Sequence, residues 1–353
     1  MANSKTNKQG IKIWMWSITL IIIVGIIITG KNKYDDIYKS NINFQDNETT
    51  YLYIPTGSTY KDLVDILQSD HILSDTASFK WVADRKNLKS HVNPGRYKIT
   101  SIMSNNDLVN LIRSGKQTTI RVSFIKTRTK ENFAGKISRF IEADSLSILK
   151  AIKNDSLIKN IGFDKNTIMS VFIPNSYDFY WNTTADVFIK RMFQEYNRFW
   201  NNKRSKKVKE MGMLKTDIST LASIIEEETN KDDEKKRIAG VYLNRLNKHI
   251  PLQADPTIKF AVNDFKIKRI TKKLLKTKSP YNTYRHAGLP PGPICTPSIA
   301  SIDAVLHHEV HEYYYFCAKD DFSGYHTFSK TLKQHNLQAR KYHNALNKKR
   351  IYK

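Results

Sequence analysis

The order of apolar and polar positions changes character several times along the chain. Residues 13–30 form an uncharged run rich in Ile and Val, set between Lys12 and Lys31. About 18 residues at about 1.5 Å each reach about 27 Å, close to the thickness of a bilayer's hydrocarbon. Trp14 and Trp16 stand near one end, where indoles favour the membrane interface. The run is longer than the core of a signal peptide, and no A-x-A-like site follows it. It reads as one uncleaved transmembrane helix, with residues 1–12 as a tail and the polar stretch 31–49 as a linker. Lys5, Lys8 and Lys12 precede the span and Lys31, Lys33 and Lys39 follow it, so charge barely sets its direction. The short tail and long C-terminal part favour a cytoplasmic tail and an extracytoplasmic domain.

Residues 50–54 read as a strand closed by Pro55 and Gly57. Ser58 or Thr59 caps a helix over 60–68, whose Leu63, Val64, Ile66 and Leu67 make one stripe. A helical stretch near 79–82, a turn at 93–95, a strand at 96–99 and a helix opened by Asn105 or Asn106 and ended by Gly115 complete the set. Residues 50–116 thus predict a strand-helix-helix-strand-helix module with the size of a small glycan-binding unit of the LysM kind. Residues 118–124 alternate as a strand. Residues 130–170 look helical and hydrophilic. The aromatic stretch 172–181 is either a core-packing loop or a groove wall for stacking on sugar rings. Thr184 starts an amphipathic helix through Trp200. The fold class is α+β: a transmembrane helix, a LysM-like α/β module, then a mixed α+β domain over 117–353.

Composition narrows the classes. Hydrophobic residues at 40% and charged residues at 26% are globular values. Lys and Arg number 58 against 33 Asp and Glu, a net charge of +25. Such a balance suits nucleic acid, an anionic membrane surface or an acidic polymer. No nucleic-acid module accompanies it, and an external domain excludes cytosolic DNA. Cys295 and Cys317 have no metal-ligand spacing and either form one bridge or stay free, the free state being favoured. The run His307-His308-Glu309-Val310-His311 lacks the HExxH order. No P-loop or dinucleotide fingerprint occurs, so neither metal nor cofactor is expected.

The sharpest local feature is Leu221-Ala222-Ser223-Ile224-Ile225-Glu226-Glu227-Glu228-Thr229, with Asp217 as a candidate N-cap. At 100° per residue, Leu221, Ile224 and Ile225 define an apolar face. Glu228 stands at the middle of that face, Glu226 at its margin, and Glu227 points away. A carboxyl group carried into the interior loses solvation and keeps its proton near neutral pH. A general acid needs that proton. The competing reading is a last-turn residue facing solvent or an Arg.

This word is followed by Ile238-Ala239-Gly240-Val241-Tyr242-Leu243-Asn244-Arg245-Leu246 and Leu252-Gln253-Ala254-Asp255-Pro256-Thr257. Further on come Tyr281-Asn282-Thr283-Tyr284, Gly288-Leu289-Pro290-Pro291-Gly292-Pro293-Ile294, and Gly324-Tyr325-His326-Thr327-Phe328-Ser329 with His335-Asn336. Together they resemble the endolytic murein transglycosylases, the YceG-like family. The resemblance implies a single-pass inner-membrane enzyme with a LysM-like module. Its activity is cleavage within peptidoglycan strands between N-acetylmuramic acid and N-acetylglucosamine, leaving 1,6-anhydro-muramoyl ends. It implies Glu228, directly before Thr229, as the catalytic acid, in agreement with the helical wheel. Two departures stand out: Ile173-Pro174-Asn175-Ser176-Tyr177 replaces a usual Phe-Pro-Asp-Thr-Tyr, and Glu227 stands where Lys is common.

On this reading Glu228 gives a proton and later takes one back, and Glu226 is a secondary candidate. Gln253, Asp255, Thr257, Tyr281, Asn282, Thr283, Tyr284 and His326 are substrate-binding candidates. Asp255 is also the suspect for a second carboxylate, or it shapes the turn before Pro256. Arg245 is expected in a structural ion pair. Peptidoglycan and the membrane are the expected partners, with cell-wall synthases beside them. A muramidase leaving reducing ends and a non-catalytic wall-binding scaffold are the alternatives.

Overall fold

The computed structural model describes residues 3–44, 49–267 and 269–348, with side chains from residue 12 onward. Parts of three expectations, residues 1–2 of the tail, 45–48 of the linker and 268 and 349–353 of the last domain, lie outside the described residues. The chain divides into two compact units, residues 1–120 with 180–182, and residues 121–179 with 183–353.

The first unit opens with α1 (Asn3–Tyr38), which continues eight residues past the expected end of the span. Residues 31–38 are therefore helix and not linker. No Pro stops the helix there, and Lys33 pairs with Asp36 one turn on at 2.8 Å. Residues 12–38 form an apolar helix whose most apolar stretch is not covered by protein, while its last turns bring the Asp36 carbonyl and Ile37 against the module. Residues 41 and 42, expected in the linker, are also ordered into the module. Ile42 is buried, and the Asn41 side chain bonds the backbone of Asp75 and the Asn105 side chain.

The module follows as β1 (Thr49–Ile54), α2 (Tyr60–Ser69), α3 (Thr76–Arg85), β2 (Gly95–Thr100) and α4 (Asn105–Ser114). The strands β1 and β2 pair antiparallel, Thr49 opposite Thr100. Leu52 and Ile54, at alternate positions of β1, meet Leu63, Leu67, Phe79, Tyr97, Ile99, Leu108 and Ile112 in one core. Each such side chain contributes about 1.5–3 kcal/mol by leaving water. Thr59 caps α2 in a reciprocal box with Asp62. Ser104, not Asn105 or Asn106, caps α4. Asn105 is buried instead, its amide spent on the Asp36 carbonyl and on Ser78. Gly115 ends α4 at φ 63°, a conformation that costs glycine little.

The second unit contains all of β3 (Ile120–Ser123) but its first residue, then α5 (Lys130–Ile137), α6 (Ser145–Ile152), α7 (Asp155–Asn160), β4 (Ser176–Phe179), α8 (Ala185–Phe199) and α9 (Asn202–Glu210). Strand β3 pairs with β4 and is shorter than the alternation suggested. Helices α5 to α7 are not hydrophilic throughout: Phe133, Ile137, Ile148, Ile152 and Ile158 are buried. Phe172 and Phe179 join Phe133 and Phe188 in an aromatic core, so the two ends of the stretch 172–179 pack inward while Asn175, Ser176 and Asp178 stay exposed.

Then come α10 (Lys215–Glu228), α11 (Asp232–Asn247), α12 (Asp255–Ala261), α13 (Ile299–Leu306), β5 (Tyr315–Ala318), β6 (His326–Ser329) and α14 (Leu332–Lys348). Helix α10 is the buried axis, with Ile218, Leu221, Ala222, Ile224 and Ile225 fully covered. It packs against α11 and α13. Leu214 and not Asp217 is its N-cap: Asp217 lies one turn in and accepts from the Leu214 amide at 2.9 Å. Gly240 lets α11 lie against residues 309–311, because a Cβ there would overlap the Glu309 carbonyl oxygen. The hairpin β5–β6 runs antiparallel with Ala318 opposite His326, and α14 leans on it.

Candidate active site

Helix α10 ends at Glu228, where Thr229 takes an extended conformation. Glu228 is half-buried, with Arg245 among its neighbours in the site. It opens into a cleft of about 460 Å³ in the second unit. Tyr242, on α11 and buried, donates from its hydroxyl to Glu228 Oε1 at 2.6 Å. Burial pushes the Glu228 carboxyl up to about 7. The Tyr242 hydrogen bond pulls it down and the Asp255 charge adds to the rise. At neutral pH a large fraction of Glu228 therefore carries a proton. Burial, with the Glu228 charge beside it, pushes the Tyr242 phenol well above its ordinary value, so Tyr242 stays a donor.

The neighbouring glutamates are tied elsewhere. Glu227 turns away from the cleft, as the wheel has it, and forms a two-pronged pair with Arg128 at 2.9 and 2.8 Å. Glu226 Oε2 accepts from the hydroxyls of Ser298 and Ser301, both at 2.5 Å, and lies 3.5 Å from Lys235 Nζ. Burial would raise the Glu226 carboxyl, but those hydroxyls and Lys235 outweigh it and hold the group below its usual range. Glu226 does not line the Glu228 cleft. It is a fixed anion tying α10 to the start of α13.

Four of the expected substrate-binding residues line the cleft with Glu228: Gln253, Asp255, Tyr284 and His326. Gln253 sits in the left-handed region at φ 53°, a strained place for a residue with a Cβ. Its Oε1 accepts from Arg245 at 2.6 Å. Arg has no acceptor, so this bond fixes which end of the amide is oxygen. The amide NH2 is left as a donor. Asp255 begins α12 and accepts from the Tyr284 hydroxyl at 2.5 Å. Burial, then that bond, raises the Tyr284 phenol. His326 Nδ1 lies 2.9 Å from Glu234 Oε2, and its amide donates to the other Glu234 oxygen. The imidazole is thereby held at the cleft edge.

The other four do not line it. Thr257 and Thr283 are buried, with hydroxyls 2.9 Å apart and bonded to the Ala254 backbone. Asn282 is buried and spends its amide on the carbonyls of Leu275 and Thr277. These three hold the wall on which Gln253 and Tyr284 stand. Tyr281 packs against Phe260 and lines a separate hollow.

Several lining residues escape a reading by residue type. Tyr242 and Arg245 are three apart on α11, so they share a face. Arg245 makes no ion pair among the described residues. Its donors go to the carbonyls of Pro251 and Tyr314 and to Gln253. The opposite wall is Tyr315, Phe316, Cys317 and Ala318 of β5, with Leu332, His335 and Asn336 of α14. Only the order of words in the chain hinted at His335 and Asn336.

Cys295 and Cys317 are free, and burial raises both thiols. Among the described residues no group of three His, Cys, Asp or Glu converges as a metal site. In the histidine-rich stretch, Glu309 pairs with Arg237, and His311 Nε2 lies 2.9 Å from the Arg237 carbonyl oxygen.

The YceG-like family model matches residues 52–341. A protein of Bacillus subtilis named endolytic murein transglycosylase is 30% identical over 348 residues, covering 93% of each chain. One of the same name from Streptococcus pneumoniae is 24% identical over 85% of this chain and 60% of its own length. The crystal structure of a yceG-like protein from Listeria monocytogenes matches 83% of this chain and 99% of its own, with TM-score 0.55 and 26% identity.

Proposed function

The chain belongs to the YceG-like family, and from that membership we propose that it is a peptidoglycan lytic transglycosylase that cuts within glycan strands. One observation carries the catalytic assignment: Glu228 is a half-buried carboxyl, raised to about 7 so that it holds its proton up to neutral pH, and it faces a cleft of sugar size.

Tyr242 occupies Oε1, so the acid proton sits on Oε2, where a strand in the cleft meets it. Glu228 passes this proton to the glycosidic oxygen as the bond to the anomeric carbon breaks. The leaving sugar departs with a hydroxyl. Positive charge grows at the anomeric carbon of the muramoyl residue. Its own C6 hydroxyl closes onto that carbon, and the Glu228 carboxylate takes up the proton released. The end formed is a 1,6-anhydro sugar, and Glu228 returns to its starting state. Both steps use one carboxyl, unlike the two of ordinary glycosidases. The donor face of Gln253 and the Tyr284–Asp255 pair hold sugar oxygens and acetamido groups. His326 completes the rim.

Helix α1 is the membrane anchor in this reading, because a surface of exposed Ile and Leu is stable only in lipid. The short tail lies in the cytoplasm and the catalytic unit outside it. The β1–α2–α3–β2–α4 unit is a LysM-like glycan-binding module, and synthases of the cell wall are partners.

A hydrolase is the second reading, favoured by the placement of Asp255 in the same cleft. Digestion of purified strands by the full chain and by Glu228→Gln, with mass spectrometry of the ends, tests the proposal. Anhydro ends from the parent and none from the variant are expected. Reducing ends would make it a muramidase, and an inert parent chain would leave a wall-binding scaffold.

A further inference from the structure

A second hollow, about 400 Å³, lies on the second unit beside the α5 helix. Lys126, Arg128, Lys136 and Arg139 line it, with Phe265 under the Arg128 guanidinium at 4.9 Å. The one carboxylate in its lining among the described residues, Glu131, is paired with Lys153 at 2.8 Å. At one end Arg128 and Lys126 share Glu227, at 2.8 and 3.3 Å. At the other end Lys136 Nζ has, among the described residues, only neutral oxygens, the Lys126 carbonyl and Thr127 Oγ1, both at 3.3 Å. No carboxylate pairs with exposed Arg139 among the described residues. Four cations around one hollow repel each other, and Glu227 relieves only one end.

We infer that this hollow binds a phosphate group, whose oxygens bridge the unpaired Lys136 and Arg139 to the Arg128 end. Glu227 offsets one of the four cations and Glu131 is held by Lys153, so the hollow keeps a net positive charge that suits a multiply charged oxyanion. The Glu227–Arg128 fork already places a carboxylate's two oxygens where a planar guanidinium reads them, the geometry that also serves phosphate. The phosphate comes either from a free ion or from a phospholipid headgroup. Nothing in this inference depends on the chemistry at Glu228, which lies in a different cleft.

The test is calorimetric titration of the full chain in zwitterionic detergent at constant ionic strength. Inorganic pyrophosphate is one probe. Short-chain phosphatidylglycerol is the other, with phosphatidylcholine as its control. Saturable binding of at least one phosphate probe is expected, weakened about tenfold in Arg139→Gln and largely kept in Arg139→Lys. The double variant Lys136→Gln/Arg139→Gln should lose it, with its melting temperature in phosphate-free buffer as the check on folding. Binding of pyrophosphate identifies the free ion as the source; binding of phosphatidylglycerol alone identifies the headgroup. Absence of saturable binding by the parent chain, or equal binding by a folded Arg139→Gln, overturns the inference.

Discussion

The Tyr242 hydroxyl donates to Glu228 Oε1 at 2.6 Å, and the donor comes from α11 while the acceptor closes α10. The bond stabilises the carboxylate more than the acid, because a charged acceptor strengthens it. It therefore holds the Glu228 carboxyl below the value that burial alone would impose. In Tyr242→Phe the carboxyl should titrate higher. On the proposed mechanism cleavage needs protonated Glu228, so activity should fall as pH passes upward through about 7 in the parent chain. The variant's falling limb should move to higher pH, with kcat down about tenfold from lost orientation. An unmoved limb in the pH–rate profile would remove Tyr242 from the proton's control.

Glu228→Gln should cut cleavage by about a hundredfold or more. It should also stabilise the protein at alkaline pH. The folded carboxyl is raised from 4.5 to about 7, so the unfolded chain ionises first as pH rises. Stability is full below about 4.5 and is lost between there and about 7. The amide has no such loss, so its advantage at pH 8 is at most about 3 kcal/mol and vanishes at low pH. Melting curves across pH measure it.

Glu226→Gln should do the reverse. Its carboxylate is held below the usual range by Ser298, Ser301 and Lys235, despite burial. That stabilisation is present above the unfolded value and fades as pH falls through the folded one. Removing the charge should cost about 1–3 kcal/mol at neutral pH. Product analysis of the folded variant should still find cleavage. A variant that is stable but inert would move the acid role toward Glu226.

Gln253→Glu replaces the NH2 donor with a carboxylate oxygen while giving Arg245 a charged partner. The fold should hold and KM should rise about tenfold, with kcat changed less. A rise confined to kcat would place Gln253 with the reacting atoms and not with the sugar's oxygens.

Gly240→Ala should destabilise the second unit by about 1–3 kcal/mol, because the added methyl overlaps the Glu309 carbonyl. Denaturant unfolding reads the loss. Any shift of α11 that relieves the overlap also moves Tyr242, so the surviving folded fraction should cleave more slowly.

The sequence by itself determined what depends on neighbours along the chain. The apolar run marked α1, alternation and turn residues marked the elements of the module, and helical spacing put Glu228 on the buried face of α10. Local signals blurred at the helix starts: Asp217 and Asn105 look like caps, yet the caps are Leu214 and Ser104. Similar polar side chains serve as caps, as first-turn residues or as buried hydrogen-bond partners, and only the packed backbone selects among these roles. The tertiary structure alone decided which polar residues face the cleft. Thr257, Asn282 and Thr283 are as polar as Gln253 and Tyr284, but backbone groups buried beside them claim their hydrogen bonds. Tyr242, Arg245, Tyr315 and His335 meet across segments far apart in the chain. Periodicity places a side chain on a face of its own helix or strand, and only packing between elements determines what that face meets.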